Sequence, residues 1–230
     1  FNDDDQFVGV TFVPQPLIVR GVTRAEAERL HAAAEAVAAA AWDVAAAHGP
    51  DAVVIATGSD AFRPEIGGND RSNVLTAREV LEGNALIGER VLVVDSIGRA
   101  EGPSVAEYLA DLGKEVEIVC GLNYIGAEMP PITWHHQMEA LMTKGVKLTP
   151  MTGAWEIEES SVDVYNVITW EPRTIENINT VVLASGGIAQ DALFHSLDGQ
   201  VPEIHLVGDC YQPRDIELAV TDGHRVARAI

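Results

Sequence analysis

Four short stretches of this chain carry residue types suited to a ligand with phosphate or sugar hydroxyl groups. Asp51-Ala-Val-Val-Ile-Ala-Thr-Gly-Ser59 and Glu203-Ile-His-Leu-Val-Gly-Asp-Cys210 are each a brief apolar run halted by a glycine, which places Thr57 and Gly58 after one run and Gly208 and Asp209 after the other. A buried parallel strand that stops at a ligand crevice reads this way. Val181-Val-Leu-Ala-Ser-Gly-Gly187 has the same form and offers Ser185 and Gly186. The fourth stretch, Arg90 to Ser104, joins an apolar run to a turn that contains Gly98 and Gly102.

That turn is where a dinucleotide pyrophosphate would sit. In the G-x-G-x-x-G pattern the first glycine makes the tight turn, the second lets backbone approach the pyrophosphate, and the third lets helix meet strand. With Gly102 as the third glycine, the first two positions hold Ile97 and Arg99, and Asp95 and Glu101 add negative charge beside them. These residues argue against bound NAD(P) and for a Rossmann-like scaffold that has lost its nucleotide, with Gly98 and Gly102 as its candidate contacts. No strand, glycine-rich turn and helix that would open a nucleotide-binding domain stands upstream of Asp51.

The elements that must position these residues follow from periodicity and punctuation. Residues 1–50 read as an extended arm followed by an alanine-rich helix. Thr23-Arg24-Ala25-Glu26 has capping-box spacing, and His48-Gly49-Pro50 ends the helix. Leu30, Val37 and Val44 form a narrow stripe suited to close packing on a sheet, a helix or another subunit. From residue 52 onward strand and helix alternate: strands at Val53–Ala56, Arg90–Asp95, Glu115–Cys120 and Val146–Leu148, and helices opened by the Thr76–Glu79 capping box, over Ser104–Leu112 and near Ile132–Thr143. Trp155 to Trp170 alternates apolar with polar, which predicts an antiparallel meander with both tryptophans in sheet packing.

Composition narrows the class. The chain has 230 residues, 47% hydrophobic and 22% charged, enough for one sizeable core or two small ones. A formal net charge of −20 argues against nucleic acid and anionic membrane as partners and leaves a basic protein partner open. No apolar run approaches the roughly 20 residues of a membrane span. Cys120 and Cys210 form no CxxC pair, and adjacent His135 and His136 do not share a helix face, so no metal site is expected and a reducing cytoplasm is the expected compartment. Phe1 stands where an initiator Met would, so the chain reads as processed or trimmed.

The runs Asp51 to Ser59, Asn73 to Leu81, Val91 to Asp95 and Ser104 to Leu109 follow one another in a specific order. Val181 to Gly187, Val207 to Cys210, Pro213-Arg214 and Asp222 to Ala227 complete it. Together, over residues 51 to 230, they resemble the C-terminal nucleotide-binding region of large old-yellow-enzyme-like flavin oxidoreductases: trimethylamine dehydrogenase, histamine dehydrogenase, N-methylproline demethylase and 2,4-dienoyl-CoA reductase. The resemblance implies an α/β, Rossmann-like, two-dinucleotide-domain fold whose first GxGxxG βαβ unit is missing. Residues 51–70 plus 178–230 would form a partial FAD- or ADP-binding domain, with 71–177 inserted as an NAD(P)-binding-like domain. Thr57, Gly58, Ser185, Gly186, Gly208 and Asp209 would flank FAD or ADP, Asp209 bonding a ribitol hydroxyl. Asp209 also reads as the N-cap of the closing helix, and Cys210 as a small apolar residue.

The family's FMN barrel and [4Fe–4S] cysteine cluster are not in this sequence, so no catalytic residue carries over, and FMN and the cluster are expected only on a partner chain. The resemblance thus implies an electron-transfer or scaffold portion of a flavin-dependent amine dehydrogenase or demethylase, partnered by an FMN-barrel subunit and an electron-transfer protein. Two alternatives stay open: an assembly subunit with decayed nucleotide sites, and an NAD(P)H-dependent reductase of enoate or dienoyl type.

Overall fold

The computed structural model describes Ala40, Asp43 and residues 47–230 apart from Asn84, and these fall into two compact units. The chain enters the second unit at Ala61 and leaves it at Gly186, so the first unit is built from the flanking segments. The arm, the Thr23 capping box and most of the alanine-rich helix lie outside the described residues; Ala40, Asp43, Ala47 and His48 are helical. No helix among the described residues is long and apolar enough to cross a membrane.

In chain order the strands are β1 (Val53–Ile55), β2 (Ser59–Ala61), β3 (Val74–Thr76), β4 (Arg90–Asp95), β5 (Glu115–Cys120) and β6 (Lys147–Thr149). They continue as β7 (Thr152–Ile157), β8 (Ser161–Asn166), β9 (Pro172–Glu176), β10 (Thr180–Ala184), β11 (Gly187–Ala189) and β12 (Ile204–Leu206). The helices are α1 (Ala77–Leu81), α2 (Glu101–Asp111), α3 (Pro131–Thr143), α4 (Ala192–Leu197) and α5 (Ile216–Ala227).

The second unit is built on a five-stranded sheet in the order β3-β10-β4-β5-β6, every neighbouring pair parallel. Alternation along β4 explains why it needs cover on both faces. Val91 and Val93 join Val105, Leu109, Met138 and Leu141 of the helices in one core, while Leu92 and Val94 join Ile157, Val162, Val164 and Ile175 of the meander in another. Each fully buried aliphatic side chain contributes about 1.5–3 kcal/mol. Strands β7, β8 and β9 are antiparallel neighbours, as their alternation predicts. Trp155 and Trp170 depart from expectation: they are 55% and 71% exposed and flank Tyr165, whose ring stacks on Trp170 at 5.3 Å, because Trp155 is the extra residue at the register break of β7 against β8 and Trp170 lies in the connection between β8 and β9.

Strand β10 lies between β3 and β4 with all five residues buried, so residues 178–186, together with 61–70, sit in the second unit and not with the strand ends they resemble in sequence. Pairing partner, a long-range property, decides membership. In the first unit β1 and β12 are parallel, Val53 opposite Ile204 and Ile55 opposite Leu206. Ile55, Leu193, Leu197 and Cys210 form its core, joined by Phe194 and Leu206. Strand β2 pairs with β11.

Candidate nucleotide site

Parallel strands that end at neighbouring positions bring their following residues to one edge. In the first unit the Val207 amide donates to the Ile55 carbonyl at 3.0 Å, which carries the pairing of β1 and β12 past their last residues. Thr57-Gly58 and Gly208-Asp209 therefore emerge at the same, C-terminal end of the pair, the end at which open α/β sheets hold ligands. The Ser59 hydroxyl donates to Asp209 Oδ2 at 3.3 Å, although the two residues are 150 apart in sequence. Both Gly58 and Gly208 have positive φ, +80° and +67°, and a side chain at Gly58 would meet nothing within 4 Å.

Internal bonds fix this edge. The Thr57 hydroxyl donates to the Gln190 carbonyl, the Gln190 amide donates to the Gly58 carbonyl at 3.0 Å, and the Gln190 side chain donates to the buried Asp60 carboxylate. Asp209 lies in a single 3-10 turn, Gly208–Cys210, and its Oδ1 accepts the Arg214 amide at 3.2 Å. The Arg214 guanidinium pairs with Asp222, only 8% exposed, and lies over the Tyr211 ring at 5.6 Å. The N-cap of α5 is Asp215, whose Oδ1 accepts the Leu218 amide at 3.0 Å. This overturns the reading of Asp209 as that helix's cap: six residues separate it from α5, and it is half-buried. A carboxylate holds about four acceptor positions, so the two bonds it makes leave capacity for a ligand hydroxyl. The Cys210 Sγ donates to the Ile55 and Val207 carbonyls, both at 3.1 Å, as a small core residue.

The second unit gathers the other candidates at the C-terminal ends of β4 and β10. Ser185 donates to the Ser96 hydroxyl at 3.1 Å, and the Gly186 amide donates to Glu101 Oε2 at 2.9 Å. Asp95 Oδ1 accepts the amides of Ile97 at 3.1 Å and Gly98 at 2.8 Å, while Asp95 Oδ2 is buried with no hydrogen-bond partner. A Cβ on Gly98, at φ +67°, would stand 2.2 Å from the Leu122 side chain, and one on Gly102 would stand 2.8 Å from the Asp95 carboxyl carbon. Gly102 thus does a third glycine's work of letting helix meet strand. Burial pushes the Asp95 carboxyl up to about 6 against the pull of the Gly98 and Ile97 amides, with Glu101 adding to the rise, and burial also raises Glu101. Two shallow clefts of this unit lie elsewhere, about 490 Å³ beside Glu107 and His136, and about 230 Å³ beside Arg90 and Lys147.

The pyridine nucleotide-disulphide oxidoreductase model matches residues 20–223. The chain belongs to the pyridine nucleotide-disulphide oxidoreductase family. Among curated relatives, dimethylamine dehydrogenase of Hyphomicrobium sp. (strain x) is 30% identical over 224 residues, covering 80% of this chain and 30% of that protein. NADH oxidase of Thermoanaerobacter brockii is 31% identical over 185 residues, 79% of this chain and 28% of that protein. A solved 2-naphthoyl-CoA reductase complexed with 2-naphthoyl-CoA superposes with a TM-score of 0.72 at 29% identity, over 80% of this chain and 27% of that one. The resemblance to amine dehydrogenases and acyl-CoA reductases is borne out, and the chain spans less than a third of the length of these relatives.

Set against this pyridine nucleotide-disulphide oxidoreductase membership, the eight sequence candidates divide between the units: Thr57, Gly58, Gly208 and Asp209 meet in the first, and Ser185, Gly186, Gly98 and Gly102 in the second. The first set fits a nucleotide with hydroxyl groups, since it combines open backbone at a glycine with a half-buried aspartate. Sequence reasoning missed Gln190 and the role of Asp222. Nothing local marks Gln190; an acid at helical spacing from Leu218, Ala219 and Val226 was the available sign for Asp222.

Proposed function

We propose that the chain is the FAD- or ADP-holding portion of a flavin-dependent oxidoreductase, with substrate chemistry carried out on an FMN barrel beyond these residues. The observation that carries the reading is the parallel pairing of β1 with β12, which sets Thr57-Gly58 beside Gly208-Asp209 at one strand end. Thr57 and Gly58 would offer backbone groups to the nucleotide, and Asp209, held by Ser59 and the Arg214 amide, would accept from a ligand hydroxyl. Bound flavin would supply electron transfer, and bound ADP would brace the fold alone. The likeness to dimethylamine dehydrogenase supports an amine as the substrate of the whole protein. An inserted Rossmann-like unit and the acidic surface, which suits a basic electron carrier, are consistent with an electron-transfer or scaffold role.

The test is to purify the protein as its cell assembles it, denature it, and identify released nucleotides and accompanying polypeptides by mass spectrometry. FAD or ADP together with FMN is the expected result. Assemblies free of nucleotide would replace this reading with a scaffold, and NAD(P) as the sole nucleotide would replace it with a self-contained reductase. Asp209→Ala is expected to lower the retained nucleotide at least tenfold, since a charge-assisted hydrogen bond is worth about 1.5–3 kcal/mol.

A further inference from the structure

The second unit has every coarse feature of a dinucleotide-binding βαβ: β4 and β5 are parallel neighbours, α2 lies between them in sequence, and Gly102 brings α2 against β4. In a working site the amides of the turn point at a pyrophosphate, and the helix N-terminus adds partial positive charge. Here two of those amides, and a third beside them, are already taken. Ile97 and Gly98 donate to Asp95 Oδ1, and Gly186, at the end of the adjacent strand, donates to Glu101 Oε2. No side chain caps α2, and the Asp95 carboxyl lies against its first turn at Gly102.

We propose that Asp95 and Glu101 are internal anions that occupy the dinucleotide turn of the second unit, so that this unit rejects NAD(H) and NADP(H).

Three features favour occupation over accident. Asp95 is 2% exposed and its Oδ2 has no hydrogen-bond partner, so the carboxylate is held in place by its position on the strand and by the turn amides, with no room to swing into water. The Ser96 and Ser185 hydroxyls bond each other across the same strand ends, and the Ser96 amide donates to the Ala184 carbonyl at 3.0 Å, which closes the edge through which a phosphate would come. With its carboxyl at about 6, Asp95 is largely ionised at neutral pH, so a pyrophosphate would face like charge as well as spent donors. The inference concerns the second unit alone and holds whether the first unit carries FAD, ADP or nothing.

The full chain is titrated with NADH and NADPH, following nicotinamide fluorescence, and amide exchange over residues 96–104 locates any binding. The parent protein is expected to show no saturation up to about 1 mM. Asp95→Gly combined with Glu101→Ala frees the three amides and is expected to bind with a Kd at least tenfold below that limit, with slowed exchange over 96–104. Asp95→Asn combined with Glu101→Gln keeps the acceptors but removes both charges, tolerates the native geometry best, and is expected to show a smaller gain at the same place. Saturable NADH binding by the parent that slows exchange at 96–104 would overturn the proposal, as would folded variants that bind no better than the parent. Binding that leaves 96–104 unchanged would lie at the first unit and would count against its assignment to FAD or ADP.

Discussion

A carboxylate buried at the end of a strand links stability to pH as well as occupying a turn. Burial, with Glu101 assisting, raises Asp95 from 3.8 to about 6, so the folded protein holds that proton more tightly than the unfolded chain does. The group therefore favours the fold fully below about pH 4 and loses that contribution as pH rises through about 6, a swing of about 3 kcal/mol. Asp95→Asn keeps an oxygen for the Ile97 and Gly98 amides and cannot ionise. It is expected to match the parent near pH 4 and to exceed it by about 1–3 kcal/mol near pH 8 in urea unfolding; an equal offset at both pH values would show that ionisation is not the cause. Asp222→Ala is expected to cost about 3 kcal/mol, because it strands the Arg214 guanidinium at 17% exposure, and to loosen the Arg214 amide that holds Asp209. Thermal unfolding, with nucleotide retention read alongside, measures both effects. The sequence announced negative charge in the turn through Asp95 and Glu101. It did not disclose that Asp95 folds back on the turn amides and that Glu101 reaches the Gly186 amide, since the first depends on the turn's shape with Gly98 at φ +67° and the second on a strand end 85 residues away.

Among the elements, legibility followed the range of the forces involved. Strands β4 and β5 match their expected bounds because their runs are mostly apolar and buried, and turn residues close both ends. The Thr76 capping box forms as its spacing requires: the Glu79 amide donates to Thr76 Oγ1 at 3.2 Å, and the Thr76 amide donates to Glu79 Oε2 at 2.7 Å. Arg63 adds an ion pair to Glu79 at 2.8 Å. Thr76→Ala is expected to cost about 1 kcal/mol and to speed amide exchange in α1 before it affects the rest of the sheet. Helix α2 begins at Glu101, three residues before the expected Ser104, because Gly102 and Pro103 fit a first turn whose amides need no intrahelical partner. The place of β10 was hidden for another reason. Its apolar run resembles the other strand ends and marks burial on both faces, but its pairing with β3 and β4 is a long-range choice that no local pattern encodes. Leu92→Ala, at a fully buried position facing the meander, is expected to cost about 2–5 kcal/mol by the cavity it leaves.

At the level of the whole molecule, the second unit is one unbroken stretch, Ala61–Gly186, with its own two-faced core, and the first is assembled from segments on either side of it. Residues 61–186 expressed alone are expected to unfold cooperatively in urea with a sharp near-ultraviolet circular dichroism change; a broad, non-cooperative loss would show that this core needs the flanking segments. The same arrangement has a consequence for biosynthesis. The strand β1 leaves the ribosome before its partner β12, which follows only after the entire inserted stretch, and Ser59 waits for an Asp209 that is 150 residues away. At ordinary translation speeds that delay is on the order of ten seconds. The second unit has time to fold while β1 is still an unpaired edge, so a nascent chain halted near residue 186 would carry a finished domain followed by no partner for the strand that preceded it, a natural client for a chaperone.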